Sequence, residues 1–157
     1  MKINNFINLD IFNGLYYLFI KTLIGKLIKK GKKYKALKLY KNLKENIKLN
    51  TKKKVSSIFL LSMLNSMPKV AFKEIRLGSQ KKDLPMAINE KKQVLVYVDT
   101  LLKASKRKKK VELNKLMDYI ILSCYNKGII IRNKKLKYRK AIINKMLLNI
   151  FMPKKKK

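Results

Sequence analysis

Across 157 residues, 41 Lys plus Arg stand against eight Asp plus Glu, with no histidine, for a formal net charge of +33. So large a charge repels itself in a compact chain and implies a polyanionic partner: nucleic acid first, an anionic membrane surface second. A hydrophobic content of 47% is too high for a disordered basic tail, while a single cysteine and no histidine exclude an internal disulfide, a zinc site and a histidine base.

Taken in chain order, apolar residues recur at helical spacing. Tyr16, Phe19, Ile20, Leu23, Ile24, Leu27 and Ile28 form a first stripe, with Gly31 as its C-terminal stop. The stretch ahead, IFNGLYYLFI, is apolar but too short to span a membrane, and Asp10 with no A-x-A-like site argues against a signal peptide. A second stripe runs Leu37, Tyr40, Leu43 and Ile47. Thr51 or a neighbour is expected to cap a third helix carrying Ile58, Leu61 and Leu64, ended by Pro68. The uncharged run there, Val55 to Pro68, has fourteen residues, short of the ~20 of a spanning helix.

The stretch PKVAFKEIRLGSQKKDLPMAI breaks the helical period. Leu84, Met86 and Ile88 alternate as a strand does. Val70 and Phe72 share one face, but Ile75 and Leu77 share the other, which predicts a bulge or twist near Lys73–Glu74. Gly78 supplies the turn and SQKKD is expected to lengthen the tip. A hairpin alone buries little, so it reads as an arm reaching for a partner.

After the arm, Val94, Leu95, Val98, Leu101, Leu102 and Ser105 mark a fourth helix, and KRKKK (Lys106 to Lys110) reads as a linker. Leu113, Leu116, Met117, Ile120, Ile121 and Cys124 mark a fifth, closed by a left-handed turn at Asn126–Gly128. The sixth is expected over about Asn133 to Asn149, with Leu136, Ile143, Met146, Leu147 and Ile150 inward. The fold class is therefore mainly α: about six helices in one bundle-like domain over residues 1–153, a β-hairpin arm at about 69–88 between helices three and four, and a basic tail at 154–157.

No enzyme chemistry emerges. Cys124 lies among Ile120, Ile121 and Leu122 and reads as a buried helix residue. The eight acids are scattered singly, without the spacing of an acid/base pair. GKLIKKGKK has five residues between its glycines and no Ser or Thr after the lysine, so it is not a phosphate loop. No cofactor or small-molecule substrate is expected. Lysine, isoleucine and asparagine dominate while arginine appears four times; their A/T-rich codons point to a biased genome, such as an organelle's.

The order of these pieces resembles the small-subunit ribosomal protein seven family of bacterial and organellar type, over roughly Leu23 to Leu147. LIGKLIKKGKK ending at Gly31-Lys32-Lys33 and followed by Ala36 and Tyr40, the hairpin with Pro68, Arg76, Gly78 and Pro85, LLKASKRK with Ala104, Lys106 and Arg107, NKG at 126–128, and YRKAIINK with Arg139, Ala141, Asn144 and Lys145 carry the resemblance. It implies binding to the head domain of small-subunit rRNA, nucleation of head assembly, contacts with neighbouring head proteins, and an arm near the exit-tRNA site and the mRNA exit path. The expected RNA-binding residues are Lys32, Lys33, Lys73, Arg76, Lys106, Arg107, Arg139 and Lys145. Ser79, Ile75, Lys30 and Asp99-Thr100 depart from the family pattern, as does the apolar N-terminal segment where the family has a basic arm. These departures point to a divergent mitochondrial member, and the lack of a transit segment to an organelle-encoded gene. The rival reading from residues alone is a basic amphipathic protein at a membrane surface or in a structural assembly, which leaves the proline-bounded hairpin unexplained. A helical DNA-binding protein is a third, but no recognition helix of helix-turn-helix type is evident.

Overall fold

Phe19, Leu23 and Leu27, four residues apart, lie buried along α1 (Leu9–Leu27) in the computed structural model, which describes residues 9–77, 79–107, 110–146 and 148. The helix stops where Lys30 and Gly31 turn left-handed (φ 50° and 72°), a conformation that glycine adopts without a Cβ clash. Then α2 (Lys33–Thr51) buries Ala36, Leu43 and Ile47 and leaves Leu37 exposed. Thr51 caps no third helix. It closes α2, its hydroxyl donating to the Ile47 carbonyl at 2.6 Å, and the chain then turns left-handed at Lys52.

The third helix, α3 (Val55–Ser66), corrects the expected stripe. Ile58, Phe59, Ser62, Met63 and Ser66 face inward, whereas Leu61 and Leu64 face outward. Small serines on the inner face let α3 lie close against its neighbours, so polarity misleads here: the Ser62 hydroxyl is hydrogen-bonded to the Tyr97 hydroxyl at 2.5 Å.

Strands β1 (Val70–Leu77) and β2 (Gln80–Ala87) pair antiparallel and one-to-one, from Val70↔Ala87 out to Leu77↔Gln80. The expected bulge is absent: Lys73↔Leu84 and Glu74↔Asp83 are consecutive rungs. The change of apolar face along β1 therefore reflects what lies beside the strand. Near its base the ladder packs on a helix, while the outer part has no core to keep an alternation in phase. Gln80–Asp83 belong to the ladder and do not lengthen the tip; Gly78 lies outside the described residues.

Asn89 caps α4 (Glu90–Ser105), its side-chain oxygen accepting from the Lys92 amide at 3.1 Å. Val94, Tyr97, Val98, Leu101, Leu102 and Ser105 are buried and Leu95 is exposed. The expected linker contains a short ladder, β3 (Lys106–Arg107) against β4 (Lys110–Val111). Helix α5 (Leu113–Cys124) buries Leu116, Ile120 and Ser123 and ends in the expected left-handed turn, with Asn126 at φ 57° and Gly128 at φ 90°.

The sixth helix, α6 (Ile129–Ile143), starts directly after Gly128, earlier than Asn133, and inserts Ile130 and Ile131. Leu136, Ile143 and Met146, expected inward, are exposed, while Leu147 and Ile150 lie outside the described residues. Only the first turn of α6 enters the core; its later turns run beside the hairpin. One buried cluster takes residues from all six helices, with the Phe19 ring 5.3 Å from Phe59 and 5.7 Å from Tyr97 between ring centroids.

Candidate nucleic-acid interface

Among the described residues the cations lie outside this core, in groups fixed by different elements. The first group surrounds the α1–α2 turn. Lys32 is the N-cap residue of α2 and Lys33 its first residue, both exposed, and no side chain caps this helix end. Its first-turn amides and the helix dipole therefore add positive potential to that of the lysines. Val111 on β4 meets Leu27, Lys29, Lys32, Lys35, Ala36 and Leu39 around a cleft of about 400 Å³. Because Lys106 pairs with Val111 in the short ladder, the exposed Lys106 belongs to this neighbourhood. Arg107 is the next rung, opposite Lys110.

The second group lies on the arm and α6. Lys73 and Arg76 are exposed on β1, an odd number of residues apart and so on opposite faces of the ribbon. The base of the arm is pinned to α6. Lys140 forms an ion pair with the Asp83 carboxylate and lies over the Phe72 ring, 5.2 Å from its centroid. The Asn144 side-chain amide donates to the Asp83 backbone carbonyl at 3.0 Å, and the Lys69 backbone amide donates to the Tyr138 hydroxyl at 3.0 Å. Arg139 is exposed on α6, and Lys145 just beyond it lines a cleft with Val70, Pro85, Met86 and Tyr138.

Sequence reasoning missed a third group. The Lys26 ammonium of α1 donates to Asp99 of α4 at 2.5 Å. Desolvation lowers the pKa of Lys137 on α6, nearby Lys103 lowers it further, and Asp99 opposes both. Lysines from three helices thus meet around one carboxylate. Nothing local could reveal this, since Lys26 and Asp99 are 73 residues apart. Lys134 instead ties α6 to the end of α3, its ammonium donating to the Asn65 carbonyl at 2.7 Å, and burial depresses its pKa.

The arrangement is suited to holding phosphates and offers little for bond-making. Burial raises the pKa of the Cys124 thiol, against the opposing pull of Lys53, so the reactive thiolate is disfavoured. Among the described residues no group of three or more His, Cys, Asp or Glu could hold a metal ion, and no helix is long and apolar enough to cross a membrane.

The family model described as "Ribosomal protein S7p/S5e" matches residues 7–145 of the chain. Small ribosomal subunit protein uS7c of Bigelowiella natans is 30% identical over 133 residues, covering 82% of this chain and 83% of that protein. The uS7c of Ostreococcus tauri is 28% identical over 127 residues, covering 80% and 81%. The uS7 of Rickettsia bellii (strain RML369-C) is 26% identical over 141 residues, covering 89% and 86%.

Proposed function

The chain belongs to the ribosomal protein S7p/S5e family, and from that premise we propose that it binds the head domain of small-subunit rRNA and nucleates assembly of the head. As a member of this family it is a structural component of the small ribosomal subunit. The family match over residues 7–145 carries the reading. The basic groups support it, because folded RNA is bound largely through its shape and phosphates, which lysine meets as a point charge.

The eight residues that meet RNA in this reading are Lys32, Lys33, Lys73, Arg76, Lys106, Arg107, Arg139 and Lys145. Neighbouring head proteins are further partners, and the arm lies near exit-site tRNA and the mRNA exit path. The ribosome is organellar. The two uS7c relatives support that level, while lysine-rich composition and departures from the family pattern favour a mitochondrion.

Sedimentation of an organelle lysate tests the proposal. The chain should migrate with small ribosomal subunits at moderate salt, and a transcript of the small-subunit rRNA head domain should bind it directly. Recovery in a membrane pellet free of rRNA would overturn the assignment.

A further inference from the structure

We propose that the cleft between the end of α1, the start of α2 and β4 receives a single unpaired nucleobase of the bound RNA. This inference rests on the RNA-binding reading above and adds what that reading lacks, a contact to a base. The cleft, about 400 Å³, is lined by Leu27, Ala36, Leu39 and Val111 together with Lys29, Lys32 and Lys35. Such a volume falls within the ~300–1,000 Å³ typical of small-ligand sites. Leu27 and Ala36 are buried, so the inner wall is apolar and fixed by the core, whereas Leu39 is 39% exposed and open to an incoming ring.

Charge complementarity selects the occupant. Among the described residues the polar lining is lysine throughout, and no acid lines the cleft. The α2 N-terminus beside it lacks a side-chain cap, so the positive end of the helix dipole adds to the potential of the lysines. A flat apolar group bearing negative charge on both sides fits this combination, and a nucleotide within a strand is such a group. Its base would lie against Leu27, Leu39 and Val111 while its flanking phosphates meet Lys32 and Lys35. Extruded bases in loops and bulges are the parts of an RNA that proteins can enclose in this way.

A head-domain transcript carrying sparse 4-thiouridine, bound to the full chain and irradiated, tests the placement. A crosslink within residues 27–39 or at Val111 is expected. Replacing the crosslinked nucleotide by an abasic residue should then weaken binding at least about fivefold, as loss of a buried apolar ring would. Equal affinity of the abasic RNA, or crosslinks spread over lysine-rich peptides elsewhere, would overturn the nucleobase and leave head-domain binding intact. If in assembled subunits the cleft residues crosslink only to another protein, a protein segment is the occupant and the proposal fails. Failure of the full chain to bind the transcript at all would remove both readings.

Discussion

Phe19 ties three helices together, since its ring meets Phe59 of α3 and Tyr97 of α4. Phe19→Ala should cost about 3–5 kcal/mol, because the rings around it are held by separate helices and cannot all close on the void. Tyr97→Phe tests a different energy: it removes no packing volume but strands the buried Ser62 hydroxyl. A loss of about 1–3 kcal/mol is expected. Chemical-denaturation midpoints of the two variants measure both. Phe19 was legible in the sequence, at the centre of an apolar stripe. Tyr97 and Ser62 were not, because a hydroxyl pair 35 residues apart becomes an inner-face feature only when α3 and α4 meet. For a cation proposed to meet RNA, a phosphate contact differs from a solvated charge in its salt dependence. Lys32→Ala should weaken RNA binding and lower the slope of log affinity against log salt by about one unit or slightly less. An unchanged slope in a filter-binding salt series would make Lys32 a solvated charge.

Among the elements, the hairpin is an arm with an anchored base. Leu84 is buried, and Asp83 takes bonds from both Lys140 and Asn144. Replacing Glu74–Lys82 with a short glycine-containing turn should therefore keep the helical circular dichroism, since none of the described residues removed belongs to the buried cluster. Subunit incorporation should fall only in part, with the lysines of the α1–α2 turn still present. Asp83→Ala should leave the helices intact and loosen the arm only slightly, because it removes the Lys140 ion pair while Asn144 still donates to the carbonyl of residue 83. The readout is a small increase in hydrogen exchange at the Lys69–Lys73 amides. Loss of helical signal on shortening would mean the outer hairpin supports the core. Element type and order could be read from the sequence, because period and proline placement differ between α3, the hairpin and α4. The faces of α3 and α6 could not. On α3 the buried serines and exposed Leu61 and Leu64 invert the hydrophobic rule. On α6 the apolar positions 136, 143 and 146 sit where the helix has already left the core. The α1–α2 lysines were legible as a cluster, but their shared cleft with Val111 depends on β3 and β4 folding back.

At the scale of the whole molecule, a net charge of +33 on 157 residues makes salt act in opposite directions on folding and on binding. Asp99 and Asp83 each hold a lysine of a helix distant in the chain, yet pairs this exposed stabilise little. Most of the positive charge therefore works against compaction in the free chain. Raising salt from about 50 to 200 mM shortens the screening length from roughly 14 to 7 Å, which weakens that repulsion at the spacing of neighbouring helices. The free chain should melt at a higher temperature as salt rises. Its complex with rRNA should respond the other way. If six to ten phosphates are neutralised, affinity falls by about 10³–10⁵ over the same range on duplex DNA, and less steeply on RNA. Thermal melts of the free chain and filter binding of the head-domain transcript, run in the same buffers, measure the two trends side by side. A free-chain melting temperature that fell with salt would show that ion pairs outweigh repulsion in the fold. A flat binding response would show that something other than the lysines holds the complex.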